Sequence, residues 1–260
     1  MELSSTDIKN ELSGSLEYAV SIQRGLLPKD RHFKKLTNDY NLIFIPHSKL
    51  SGDFYWIGTK NNNHYIALAD CTGHGIPASL LTVMGISLLN YIILGKEYTE
   101  LGLYLKELDK KWIETFHHEQ EVNFNNDWME ISLIKLTQDE IEICGARQKV
   151  ILYNSSTNAI KIIEGEKYPI GGWQLESNRT FKTTKIPRGK YNECYLFTDG
   201  LTDQFGGSDK KKFGIHRLLK LIQIPFSTVS DKVEFILEYL NNWKDGQEQV
   251  DDISLIGIKI

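Results

Sequence analysis

The chain has 260 residues, a formal net charge of −4, 41% hydrophobic and 25% charged residues. Those proportions describe a globular protein with a sizeable core, not a disordered chain, which would be less apolar and more highly charged. The weak acidity has the wrong sign for gripping a phosphate backbone, so no nucleic-acid partner is expected.

Three cysteines (Cys71, Cys144 and Cys194), none at CxxC spacing, argue against a disulfide framework and a zinc knuckle. The N-terminus lacks the basic and apolar regions of a signal peptide, so a cytoplasmic location is expected.

In chain order, Ile8, Leu12, Leu16, Ala19, Ile22 (or Gln23 beside it) and Leu26 recur at helical spacing, and Pro28 ends the run. The stripe is narrow and nearly heptad-like. It suits a partner helix as well as packing on the same domain. Short strands are expected at 42–45, 54–57 and 65–69. A helix is expected over 76–94, with Pro77 in its first turn. This segment is long enough to span a membrane. It also holds Ser79, Thr82, Ser87 and Asn90, follows a polar glycine loop and has no flanking Lys/Arg cluster, so it reads as a buried core helix and no membrane span is expected.

A second helix places Leu101, Tyr104, Leu105, Leu108, Trp112 and Phe116 on one face, and His117 and His118 open a loop. Strands are expected at 129–136, 140–144, 150–153 and 160–163, a turn at Gly171-Gly172, and strands at 180–186 and 194–197. Helices are expected at 212–222 and 229–243, the latter with Thr228 and Asp231 in capping-box positions. An alternating strand, 253–260, closes the chain. Strands in blocks and helices in pairs indicate α+β architecture rather than alternating βαβ units. The simplest division is an N-terminal helix, 1–28, serving as linker, dimerisation or regulatory element, and one domain, 29–260.

Most acids lie among lysines and read as solvated surface. Four places differ: each sets Asp at the edge of an apolar run beside glycine or another acid. Asp53 follows Ser51-Gly52 and opens a strand. Asp70 closes a strand before Cys71-Thr72-Gly73-His74-Gly75. Asp199 closes a strand before Gly200. Asp251 and Asp252 open the last strand. Gathered on one rim, these carboxylates would repel one another and rise in pKa. Hard divalent cations with oxygen ligands remove that cost, and two such ions make a site for attack on phosphorus. An Asp-Gly pair after a strand is also an ordinary turn, and the residues alone leave both readings open.

The ordered set Ile22-Gln23-Arg24-Gly25-Leu26-Leu27-Pro28, Ser51-Gly52-Asp53-Phe54-Tyr55, Asp70-Cys-Thr-Gly-His-Gly-Ile-Pro-Ala78, Cys144-Gly145-Ala146, Tyr168-Pro-Ile-Gly-Gly172, Thr198-Asp199-Gly200 and Asp251-Asp252-Ile-Ser254 resembles the SpoIIE-type branch of the metal-dependent PPM serine/threonine phosphatases. The resemblance spans about residues 18–260. It implies a four-layer αββα sandwich with an N-terminal helical extension. It implies Asp53, Asp70, Asp199 and Asp251 as catalytic metal-binding carboxylates, with the backbone carbonyl of Cys71 as a further ligand. Two Mn²⁺ or Mg²⁺ ions would activate a water for attack on phosphoserine or phosphothreonine.

Asp252, Gly73, His74 and Arg147 enter as supporting residues. His74 stands four residues after Asp70, away from the general-acid His of eukaryotic relatives, and a locally packed loop His is the simpler reading. Arg147 could touch substrate phosphate, and a surface arginine is the simpler reading. The implied substrate is a phosphorylated signalling regulator, such as a STAS-domain anti-sigma-factor antagonist. An upstream sensor and a homodimer through the N-terminal helix are further implied partners. The competing function is a weakly active or inactive module that binds such a regulator.

Overall fold

The computed structural model describes residues 5–116, 127–172 and 178–260, with side chains from residue 11 onward. His117 and His118 lie outside the described residues. The elements in order are α1 (Ser5–Leu26), α2 (Asp30–Phe33), β1 (Tyr40–Ile45), β2 (Asp53–Lys60), β3 (Asn63–Cys71), α3 (Gly75–Leu89, running on as a π turn over Asn90–Leu94), α4 (Leu101–Phe116), β4 (Trp128–Leu136), β5 (Glu140–Ala146), β6 (Lys149–Asn154), β7 (Ala159–Glu164), β8 (Ile170–Gly171), β9 (Thr184–Pro187), β10 (Glu193–Phe197), α5 (Asp199–Asp203), β11 (Phe205–Gly206), β12 (Lys211–Lys212), α6 (Ile215–Ile222), α7 (Val229–Lys244) and β13 (Ile253–Lys259).

Two antiparallel sheets form the middle layers. One runs β1-β13-β10-β6-β7; the other runs β2-β3-β4-β5-β9, with β8 paired to β4. Helices α6 and α7 cover the first sheet, and α3 and α4 cover the second. The period-two geometry of a strand explains how β10 serves two layers. Cys194 and Leu196 face the inter-sheet core, while Tyr195 and Phe197 face α6 and α7. The result is the expected αββα sandwich.

The Gly75–Leu94 segment is long and apolar enough to cross a membrane, and half of its most apolar window is buried inside the protein. It packs on β2, β3 and α4. Helix α7 starts as its sequence suggests: the Thr228 side chain accepts a hydrogen bond from Asp231 N at 3.0 Å.

Three local expectations need correction. The strand expected from residue 180 begins at Thr184, because the stretch before it is held against α4 rather than in a ladder. Gly102 N donates to Thr183 Oγ1 at 2.8 Å, and a Cβ on Gly102 would stand 1.7 Å from the Phe181 carbonyl oxygen. The helix expected from Lys212 begins at Ile215, because Lys211-Lys212 pairs with Phe205-Gly206 and Gly214 takes φ +74. Ile170-Gly171 is a short strand on Trp128-Met129 rather than only a turn.

The α1 stripe also drifts. Val20, Gln23 and Leu27 are buried, while Leu12, Ile22 and Leu26 are exposed.

Candidate metal centre

The register of the second sheet explains the first part of the site. Asp53 pairs with Asp70, and Asp70 pairs with Glu130, so three carboxylates occupy one rung across β2, β3 and β4. Like charges directly opposite one another destabilise a sheet. The first sheet contributes the rest. β10 ends at Phe197 and β13 begins at Ile253. Because these strands run antiparallel, with Phe197 opposite Leu255, residues 198–199 and 251–252 emerge at the same end.

Hydrogen bonds join the two halves. Thr198 Oγ1 donates to Asp53 Oδ2 at 2.8 Å, and Ser254 Oγ donates to the same oxygen at 2.6 Å. Asp53 is 1% exposed, and its other oxygen, Oδ1, is buried without a hydrogen-bond partner. Hydroxyls thus orient one oxygen of the carboxylate and leave the other uncompensated.

The electrostatics follow from this crowding. Burial pushes Asp53 well above the usual carboxylate range, against the opposing pull of its two hydroxyl partners. Burial likewise pushes Asp70 up to about 10, and Asp53, Asp199, Asp251 and Glu130 add repulsion. Asp199 rises through burial, then Asp251 and Asp203. Asp251 rises through burial and Asp252, with His47 and His74 pulling the other way. Burial raises Glu130 to about 7 although Arg147 opposes it. Each aspartate therefore feels others of the set: the sequence positions meet.

Asp252 is a scaffold carboxylate here. Its Oδ1 accepts from His47 N and its Oδ2 from Gly52 N, both at 2.6 Å. This ties the start of β13 to the loop that delivers Asp53. Gly52 must be glycine because a Cβ would meet the carbonyl oxygens of Gly73 at 2.8 Å and Cys71 at 2.9 Å. The Cys71 thiol is buried and its pKa pushed well up, so sulfur is a poor anionic donor and the backbone oxygen is the available one. Gly73 takes φ +83, and His74 stands at the N-cap position of α3 without a side-chain capping bond, its ring centroid 5.2 Å from that of His47. Arg147 sits on the β5–β6 hairpin, ion-paired with Glu130 at 3.0 Å.

Sequence reasoning missed four contributors. Thr198 and Ser254 were visible only as neighbours of aspartates; their hydroxyl roles depend on the sheets facing each other. Glu130 looked like an ordinary strand acid. Gln23 appeared as an alternative stripe position, yet it is a buried clamp: Nε2 donates to Ser51 O at 2.7 Å and to Thr82 Oγ1 at 3.1 Å, while Oε1 accepts from Ser51 N at 3.1 Å.

The residues fit a hard divalent cation. The donors are oxygens, and the orphaned Asp53 Oδ1 lacks a positive partner. Among the described residues, no three His, Cys, Asp or Glu groups form a ready-made cage. An open carboxylate set of this kind suits Mg²⁺, which keeps several waters in its shell.

Comparison with known proteins agrees with this geometry. No curated protein matched the chain. Among solved structures, the SiaA-PP2C domain of Pseudomonas aeruginosa superposes with a TM-score of 0.84 at 21% identity, covering 97% of this chain and 98% of that one. The serine/threonine phosphatase Stp1 from Staphylococcus aureus gives 0.63 at 13% identity, covering 85% and 94%. RsbX in complex with magnesium gives 0.57 at 14% identity, covering 85% and 92%. At these identities the likeness establishes the PP2C fold. The family model described as stage II sporulation protein E (SpoIIE) matches residues 60–260, a stretch that contains Asp70, Asp199 and Asp251, and the chain belongs to the SpoIIE family of PPM phosphatases.

Proposed function

We propose that the chain is a metal-dependent phosphatase that hydrolyses phosphoserine or phosphothreonine on a signalling regulator, such as a STAS-domain anti-sigma-factor antagonist. One observation carries the reading: four strand-end aspartates from two sheets crowd together, none of them ion-paired to a lysine or arginine among the described residues, one oxygen of Asp53 is orphaned, and Asp70 is pushed to about 10. Such a site is completed by divalent charge. The magnesium named with RsbX, a protein of the same fold, supports that choice of ion.

Asp53, Asp70, Asp199, Asp251 and the Cys71 carbonyl would hold two Mn²⁺ or Mg²⁺ ions. When bound, such ions supply an activated water and neutralise charge on phosphoryl oxygens. The protein's own part is positional. Thr198 and Ser254 fix the rotation of the Asp53 carboxylate, and Asp252 locks the Gly52 and His47 backbones on either side. This preorganisation avoids reorienting the ligands during the reaction.

The test is release of phosphate from para-nitrophenyl phosphate and from a phosphorylated STAS protein with Mn²⁺ or Mg²⁺. Activity that needs metal and is lost in Asp70→Ala and Asp199→Asn is the expected result. No metal-dependent release from either substrate would sink the enzyme reading in favour of a binding module. Equal activity in the variants would sink the ligand assignment.

A homodimer through α1 belongs to the same proposal, supported by the exposure of Leu12, Ile22 and Leu26 on that helix. Sedimentation of a chain lacking residues 1–20 tests it: an unchanged oligomeric state would refute it.

A further inference from the structure

We propose that Arg147 is the residue that binds the substrate's phosphoryl group, with Glu130 and Trp128 as its positioning residues. The inference rests on the phosphatase reading of the neighbouring carboxylate site and assigns the contact that selects a phosphate monoester there.

Its backbone comes first. Arg147 takes φ +61, the left-handed region that a residue with a side chain seldom occupies. The turn is held by Arg147 N donating to Glu166 O at 2.7 Å and by Gln148 N donating to Ala146 O at 2.8 Å. A strained residue held by surrounding bonds commonly marks a functional position.

The side chain is then oriented from two directions. Nε lies 3.0 Å from Glu130 Oε1, and the guanidinium carbon lies 5.0 Å from the centroid of the Trp128 ring. The ion pair is made through Nε at 3.0 Å. Among the described residues, the terminal nitrogens Nη1 and Nη2 have no other acceptor. A planar fork, held at its base and free at its two tips, matches two oxygens of a phosphate.

Location decides between this role and that of an ordinary surface arginine. Glu130 shares a sheet rung with Asp70. Arg147 and Asp199 line the same open cavity, of about 290 Å³, together with Thr202 and Lys212. The Arg147 side chain is 45% exposed, so its free end is reachable from solvent. The cavity's two lysines, Lys212 and Lys149, are ion-paired to Asp203 at 2.6 Å and to Glu164 at 3.2 Å, and Arg147 is the one arginine among the described residues that line it, hence its fork-shaped donor.

The experiment uses the full chain loaded with Mg²⁺ and two readouts. The first is steady-state hydrolysis of para-nitrophenyl phosphate. The second, independent of turnover, is calorimetric binding of inorganic phosphate. Arg147→Ala should raise KM and weaken phosphate binding by roughly 10- to 100-fold, with the Mg²⁺ concentration for half-activation unchanged. Arg147→Lys should recover only part of the loss, because an ammonium cannot present the fork. Glu130→Gln should shift KM by less than Arg147→Ala, as a positioning residue would.

An active wild type with unaltered KM and phosphate affinity in Arg147→Ala would overturn the assignment and leave the phosphatase reading intact. An inactive wild type whose phosphate binding still requires Arg147 would overturn the phosphatase reading and uphold the assignment.

Discussion

Two buried charged regions of this protein are built on opposite rules. Behind the first sheet, Lys232 and Glu193, 1% and 6% exposed, form an ion pair at 2.7 Å, with the Lys232 ammonium 4.4 Å from the centre of the Tyr153 ring. Here a buried charge has its counter-ion supplied by the chain. At the rim of both sheets, Asp53, Asp70, Asp199 and Asp251 crowd together and, among the described residues, none of them has a lysine or arginine as an ion-pair partner; Lys212, whose charge reaches Asp199, is paired with Asp203, and Arg147 is paired with Glu130. The comparison teaches that a buried charge is not informative by itself. A buried charge whose partner the fold withholds points to a partner from outside.

Breaking the internally paired region should have the largest effect on stability. Lys232→Met leaves Glu193 buried without its cation, and a loss of about 3–5 kcal/mol is expected in urea unfolding. Adding Glu193→Gln should restore much of it; if the double variant is no more stable than the single one, the pair is not what the lysine supports.

The rim should respond to ions where the pair does not. At a hundredfold excess over its dissociation constant, Mn²⁺ or Mg²⁺ should stabilise the wild type by about 2.7 kcal/mol, read as a rise in Tm. Asp70→Asn should show little of that rise, while Lys232→Met should keep it.

Without metal the sign reverses. Asp70→Asn removes a charge disfavoured by burial and by its neighbours, so its metal-free Tm should exceed that of the metal-free wild type. A lower Tm would mean that the aspartates do not repel as the geometry requires.

The smallest effect is expected from Ser254→Ala, which removes one of two donors to Asp53 Oδ2. About 1 kcal/mol should be lost, with weaker metal binding as the sharper signature.

What the sequence revealed depended on whether a feature is local. An apolar run ended by Asp-Gly is visible in one dimension, so Asp70 and Asp199 stood out, as did the layer order. Pairing is not visible in that way. That Asp53 and Asp70 face each other depends on the β2–β3 register, and that Thr198 and Ser254 reach Asp53 depends on two sheets meeting across the core. Glu130 was hidden for the same reason: in β4 it reads as one polar residue in an alternating strand, and only the rung makes it a neighbour of Asp70. The α1 stripe misled at Leu12 and Leu26, and of the pair it offered at one position, Ile22 or Gln23, Gln23 is the buried one. The buried line runs from Val20 through Gln23 to Leu27, and its middle member is a glutamine whose amide bonds to Ser51 and Thr82, so the line carries a polar residue where a hydrophobic period would show an apolar one.

The Gln23 clamp bears on where this protein can be cut. The stretch recognised by the family model begins at residue 60, yet Asp53 lies before it, and Gln23, which grips both sides of the Ser51 peptide, lies earlier still. A fragment trimmed to the recognisable stretch would lose one of the four aspartates outright. A fragment starting at residue 29 would keep all four and lose the clamp that steadies the approach to the first. The smallest unit able to present the whole acid rim is therefore longer than the stretch by which the family is recognised: it takes in β2 and β1, and, with the clamp, reaches back into a helix whose outer face gives no sign of that duty.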